Sequence, residues 1–79
     1  MKVKFNDLDQ MEKFIQIASE LQSGVVVECG SMASDAKSPV GMMCFNTNTV
    51  LDVLVVEPYV NEAEELKDAL NNMGVLVSE

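Results

Sequence analysis

The chain contains no histidine, no arginine and no tryptophan. Without histidine it lacks the side chain most often used as a general base near neutral pH, the commonest metal ligand, and any acceptor for phosphohistidine chemistry. Without arginine it lacks the bidentate clamp for carboxylate and phosphate. Basic residues of any kind are scarce: Lys2, Lys4, Lys13, Lys37 and Lys67 stand against 13 acids, for a net charge of −8. They form no stripe that could neutralise a phosphate backbone, which argues against nucleic acid as a partner, and an anionic membrane surface would repel the chain. Long apolar runs are also missing, with nothing near the roughly 18 residues of a membrane span. The start, Lys2-Val3-Lys4-Phe5, is a charged alternating segment rather than a secretory leader, so the expected location is cytoplasmic.

Only two cysteines occur, Cys29 and Cys44, without a CxxC pair or a histidine to complete a zinc set. They are expected to be reduced, largely buried thiols that pack as small hydrophobes, with a single disulfide as the alternative in an oxidising compartment. At 79 residues, 48% of them apolar, the chain makes one small domain, and no metal, cofactor or catalytic group is expected.

What is present is clear amphipathic patterning. Lys2–Phe5 alternates with the period of a strand. From Leu8 to Leu21, Met11, Phe14, Ile15, Ala18 and Leu21 make a helical stripe, with Asn6 or Asp7 as cap and Gly24 as its left-handed stop. Val25–Cys29 reads as a strand with Val25, Val27 and Cys29 on one face, followed by a Gly30-Ser31 turn and a weaker strand near 32–36. Ser38-Pro39 predicts the start of a short helix from Pro39 to Phe45, apolar nearly all round. Val50–Val56 alternates as the longest strand, ended by Pro58. Asn61, with Glu64 as capping-box partner, opens a second long helix with Ala63, Leu66, Leu70 and Met73 buried and Gly74 closing it. Val75-Leu76-Val77 is expected to fold back as a tail.

The predicted order is βαββαβα. Two amphipathic helices need one face of a small antiparallel sheet, so the fold class is α+β, an open-faced two-layer sandwich with helices on one side. The other face would carry Lys2, Lys4, Val26, Glu28, Asp52, Leu54 and Val56.

This order, together with Lys37-Ser38-x-x-Gly41-x-Met43, resembles the HPr family, the histidine-containing phosphocarriers of the bacterial sugar phosphotransferase system. Family members carry Lys-Ser, two residues, Gly, one residue and Met leading into the same short helix, and Ala18-Ser19 also falls in the family position. The resemblance implies an HPr-like domain over residues 1–79.

Its loop departs from the family. Where relatives place a His-x-Arg-Pro segment at the start of the first helix, this chain has Asn6-Asp7-Leu8-Asp9-Gln10. Asp7 and Asp9 would repel an incoming phosphoryl donor, which makes this a degenerate phosphocarrier loop; because the chain holds no histidine at all, it cannot be a histidine phosphocarrier. The resemblance still implies a regulatory or protein-binding role. In Gram-positive relatives the serine equivalent to Ser38 is phosphorylated by a dedicated kinase, and the short helix is a docking surface. Ser38 is also a good N-cap with no kinase involved. Lys37, Val40, Met42, Met43 and Phe45 are the expected partner contacts, with Val40 or Met42 the exposed one and a serine kinase or transcription regulator as the implied partner. The acids Glu57, Glu62, Glu64, Glu65 and Asp68 lack calcium-loop spacing and read as a solvated helix start.

Two further readings come from the residues. A ligand-binding regulatory domain of ferredoxin-like type would share the layering but want a second full crossover and a last strand. A homo-oligomer would use Val26, Leu54 and Val56 on the open face.

Overall fold

The computed structural model of the chain describes residues 1–78. Its elements are β1 (Lys2–Lys4), α1 (Leu8–Glu20), β2 (Gly24–Cys29), β3 (Met32–Asp35), α2 (Pro39–Met42), β4 (Val50–Val56) and α3 (Glu62–Met73). The four strands form one antiparallel sheet in the order β1-β4-β2-β3. This is the expected α+β architecture in the expected element order.

Periodicity explains most of it. Val25 and Val27 on β2, and Leu51 and Val53 on β4, are buried on one face and meet Met11, Phe14 and Ala18 of α1 and Leu66 and Leu70 of α3. The rings of Phe5 and Phe14 lie 5.2 Å apart at 40°, fixing the start of α1 over β1. Gly30, with φ of 61°, takes the first place of the two-residue β2–β3 turn, where a side chain would be strained.

The ends of the elements differ from expectation for identifiable reasons. At α1 the cap is one of the two expected, Asp7, which accepts the Gln10 N–H at 2.9 Å, while the Gln10 side chain accepts the Asn6 N–H. Gly24 is not a left-handed stop: the chain leaves α1 through an extended Leu21 (φ −81°, ψ 150°) and Gly24 already belongs to β2. Asn61 sits in the left-handed region (φ 65°) and makes no side-chain cap bond, so the predicted box with Glu64 does not form; capping requires an extended backbone that Asn61 does not have. Ala63 and Met73 are half-buried rather than core. Gly74, at φ 72°, closes α3 as predicted.

The tail does more than fold back. Leu76 bridges to Val3, the Lys4 N–H donates to the Val75 carbonyl at 2.9 Å, and the Val77 N–H donates to the Lys2 carbonyl at 3.0 Å. The outer edge of β1 is thereby paired.

Candidate protein-binding site

Residues 35–45 form the segment singled out by sequence. Asp35 organises its entry: its Oδ1 accepts the Lys37 N–H at 2.9 Å and its carbonyl accepts the Ser38 N–H at 3.0 Å. Ser38 then caps α2, its Oγ accepting the Gly41 N–H at 3.1 Å, with Pro39 in the first turn. A Cβ on Gly41 would displace the Ser34 hydroxyl from its present rotamer and crowd Ser38 Oγ at 3.3 Å, so α2 lies close against β3 at this glycine.

α2 ends at Met42, shorter than the predicted reach to Phe45. Met42 (0% exposed) and Phe45 (6%) point into the core, which corrects their assignment as partner contacts. Val40 (81%) and Met43 (80%) are left outside. The Lys37 ammonium is committed to the molecule itself, donating to the Leu21 carbonyl at the end of α1 at 2.7 Å.

The acidic loop lies beside the other end of this segment. The Asn48 N–H donates to the Phe5 carbonyl at 2.6 Å and its side-chain amide to the Asn6 carbonyl at 3.5 Å, so the stretch after α2 is held to the β1–α1 junction. Asp7 is spent on capping and Asp9 lies exposed in the first turn of α1, next to an exposed Leu8.

One polar cluster had no local signal in the sequence. Glu62, the first residue of α3, is buried, and its carboxylate accepts the Ser23 hydroxyl at 2.6 Å, the Ser23 N–H at 2.7 Å and the Gln22 N–H at 3.0 Å. Ser23 Oγ in turn accepts the Tyr59 N–H at 2.6 Å. The Glu62 carboxyl is held below its ordinary value, chiefly by the Ser23 hydroxyl and then by the Gln22 amide, with the Lys37 charge a lesser help and burial opposing. This corrects the reading of Glu62 as one of several solvated acids: it fastens the end of α1 to the start of α3. Its partners lie about forty positions upstream, beyond the reach of any capping pattern.

Cys29 is half-buried and Cys44 exposed, and both are free thiols, so the expectation of two buried cysteines fails at Cys44. Among the described residues no three acids or thiols converge on a metal-sized site, and no helix is long and apolar enough to cross a membrane. Among the described residues, one hollow of about 540 Å³ lies between Lys2 of β1, Glu64 and Lys67 of α3, and the tail, and another of about 440 Å³ lies around Gly24, Val26, Asp35 and Val56. No protein-family model, curated protein or solved structure matches the chain.

Proposed function

We propose that this chain is a non-catalytic, HPr-like regulatory domain that binds proteins through the outer side of α2. The observation that carries the reading is the exposure of Val40 and Met43 on a helix whose intervening Met42 is fully buried. Two large apolar side chains three residues apart, one of them an adaptable methionine, make a compact docking patch. The Lys37-Ser38-x-x-Gly41-x-Met43 resemblance supports the same surface. Ser38 is the regulatory position in this reading: a phosphoryl group on its Oγ would stand at the head of α2, carry nearly two charges beside the docking patch, and change what docks there. The absence of histidine removes the phosphocarrier step itself.

The test is direct. Incubation with an HPr serine kinase and ATP should add one phosphate, located on Ser38 by mass spectrometry, whereas phosphoenolpyruvate with the first enzyme of the phosphotransferase system should add none. Immobilised wild-type chain should recover a protein that a Val40→Asp/Met43→Asp chain does not. Equal recovery by both would remove α2 as the binding surface, and an unmodified Ser38 would remove the regulatory site.

A further inference from the structure

The hollow of about 540 Å³ beside β1 has walls that are tied to one another. On one side, Ala63 and Glu64 stand four and three positions before Lys67, so a single side of α3 presents all three. Across from them lie Met1, Lys2 and the tail residues Leu76 and Val77. The Val53 N–H donates to the Met1 carbonyl at 2.7 Å and the Val77 N–H to the Lys2 carbonyl at 3.0 Å, while Met1 and Leu76 also pack against the core. The fold therefore preforms the hollow, whose size falls within the roughly 300–1,000 Å³ of small-molecule sites.

Its lining joins apolar surface to a cation. Met1, Ala63, Leu76 and Val77 are each only half-buried, so hydrocarbon there still meets solvent. Among the described residues, two of the five lysines line the hollow against one acid, Glu64, in a chain of net charge −8. Lys2 is engaged with Asp52 at 2.9 Å. Lys67 is exposed and, among the described residues, makes no ion pair. Charges more than about 8 Å apart are largely screened at physiological ionic strength, so the groups at the hollow outweigh the net charge of the chain in deciding what binds.

We propose that this hollow binds a small amphiphilic carboxylate, its hydrocarbon chain laid over Ala63, Leu76 and Val77 and its head group at the Lys67 ammonium. Burial of the chain supplies most of the affinity. The exposed ammonium adds a small increment and selects the sign of the head group, since a cationic amphiphile would meet Lys2 and Lys67 together. None of the residues on the outer side of α2 lines the hollow, so this site stands whether or not that surface binds proteins.

Titration at neutral pH with octanoate, and separately with its uncharged counterpart octanamide, tests the site through amide chemical shifts, each ligand being carried to about 10 mM. Octanoate should give saturable shifts at Ala63, Lys67, Leu76 and Val77 with a dissociation constant of about 1 mM. Octanamide should bind about three- to fivefold more weakly. Lys67→Met keeps the apolar stem and should make the two ligands bind alike, whereas Lys13→Met, an equal change of net charge on α1 outside the hollow, should leave the preference for octanoate intact. Ala63→Leu fills the hollow and should weaken both ligands by about tenfold or more. Should Ala63→Leu fail to give the wild-type circular dichroism spectrum, Lys67→Met decides, because its side chain is exposed. An absence of saturable shifts, shifts mapping to Val26, Leu54 and Val56 instead, equal binding of the two ligands by the wild type, a preference for octanoate that survives Lys67→Met, or undiminished binding by a folded Ala63→Leu chain would each overturn the proposal.

Discussion

The hydroxyl of Ser23 donates to the carboxylate of Glu62 at 2.6 Å across 39 positions of sequence, and the same oxygen receives the Tyr59 N–H. Removing either side chain strands buried polar groups of the other segments. Ser23→Ala and Glu62→Ala should each lower the melting temperature clearly more than Ser19→Ala on the exposed side of α1, and the double variant should lose less than the sum of the singles. Additive losses would mean that the two residues act separately.

Acid titration follows from the same contact. The Glu62 carboxyl ionises below its ordinary value of 4.5, so the folded chain holds fewer protons there than the unfolded one. Its contribution is fully present above the ordinary carboxylate range and is lost as pH falls through 4.5 towards the depressed folded value. Denaturant midpoints measured from about pH 6 to 3 should fall less steeply for Glu62→Gln than for the wild type. Parallel curves would contradict the assignment.

Lys37 joins this cluster from the other side, through the Leu21 carbonyl at 2.7 Å. Lys37→Met keeps the apolar stem and removes the charge, so it should cost about 1–3 kcal/mol in denaturant unfolding. It should also move the acid transition upward, since the Lys37 charge helps keep Glu62 ionised. A variant as stable as wild type would show that the ammonium is merely solvated.

At Gly41 the prediction is a coupled pair. Gly41→Ala drives a methyl group into Ser34 Oγ and should cost about 1–3 kcal/mol by overpacking. In a Ser34→Ala background the penalty should shrink, which a double-mutant cycle reads directly.

The two adjacent methionines at the end of α2, Met42 in its last position and Met43 just beyond it, should behave oppositely. Met42→Ala removes a fully buried side chain and should cost about 2–5 kcal/mol, whereas Met43→Ala should lie within about 0.5 kcal/mol of wild type. In the native state a thiol reagent should label Cys44 faster than Cys29.

The methionines also show where sequence reading reaches its limit. The stripe Met11, Phe14 and Ala18 in α1 and the alternation of β4 were legible because each repeats over several periods and has one solution. A one-turn helix offers no period, so nothing local chose between Met42 and Met43; packing between elements buries the first and leaves the second outside. Asn61 and Glu64 satisfy a capping pattern in sequence, but Asn61 enters the helix from the left-handed region, and it is Glu62 that binds, to residues 22 and 23. At the docking segment the Ser38 cap was readable from Ser-Pro alone, but the inward turn of Phe45 was not.

The pairing of Val75–Val77 along β1 has a consequence for self-association. Fibrillar growth by strand addition needs a receptive margin at both ends of a sheet. Here one margin is occupied by the chain's own tail, and on the other Asp35 has given its carbonyl to Ser38, leaving little of β3 to extend. The tail thus covers the outward backbone groups of Lys2 and Lys4 that a neighbouring strand would otherwise pair with, and removing it should bare them to such a strand.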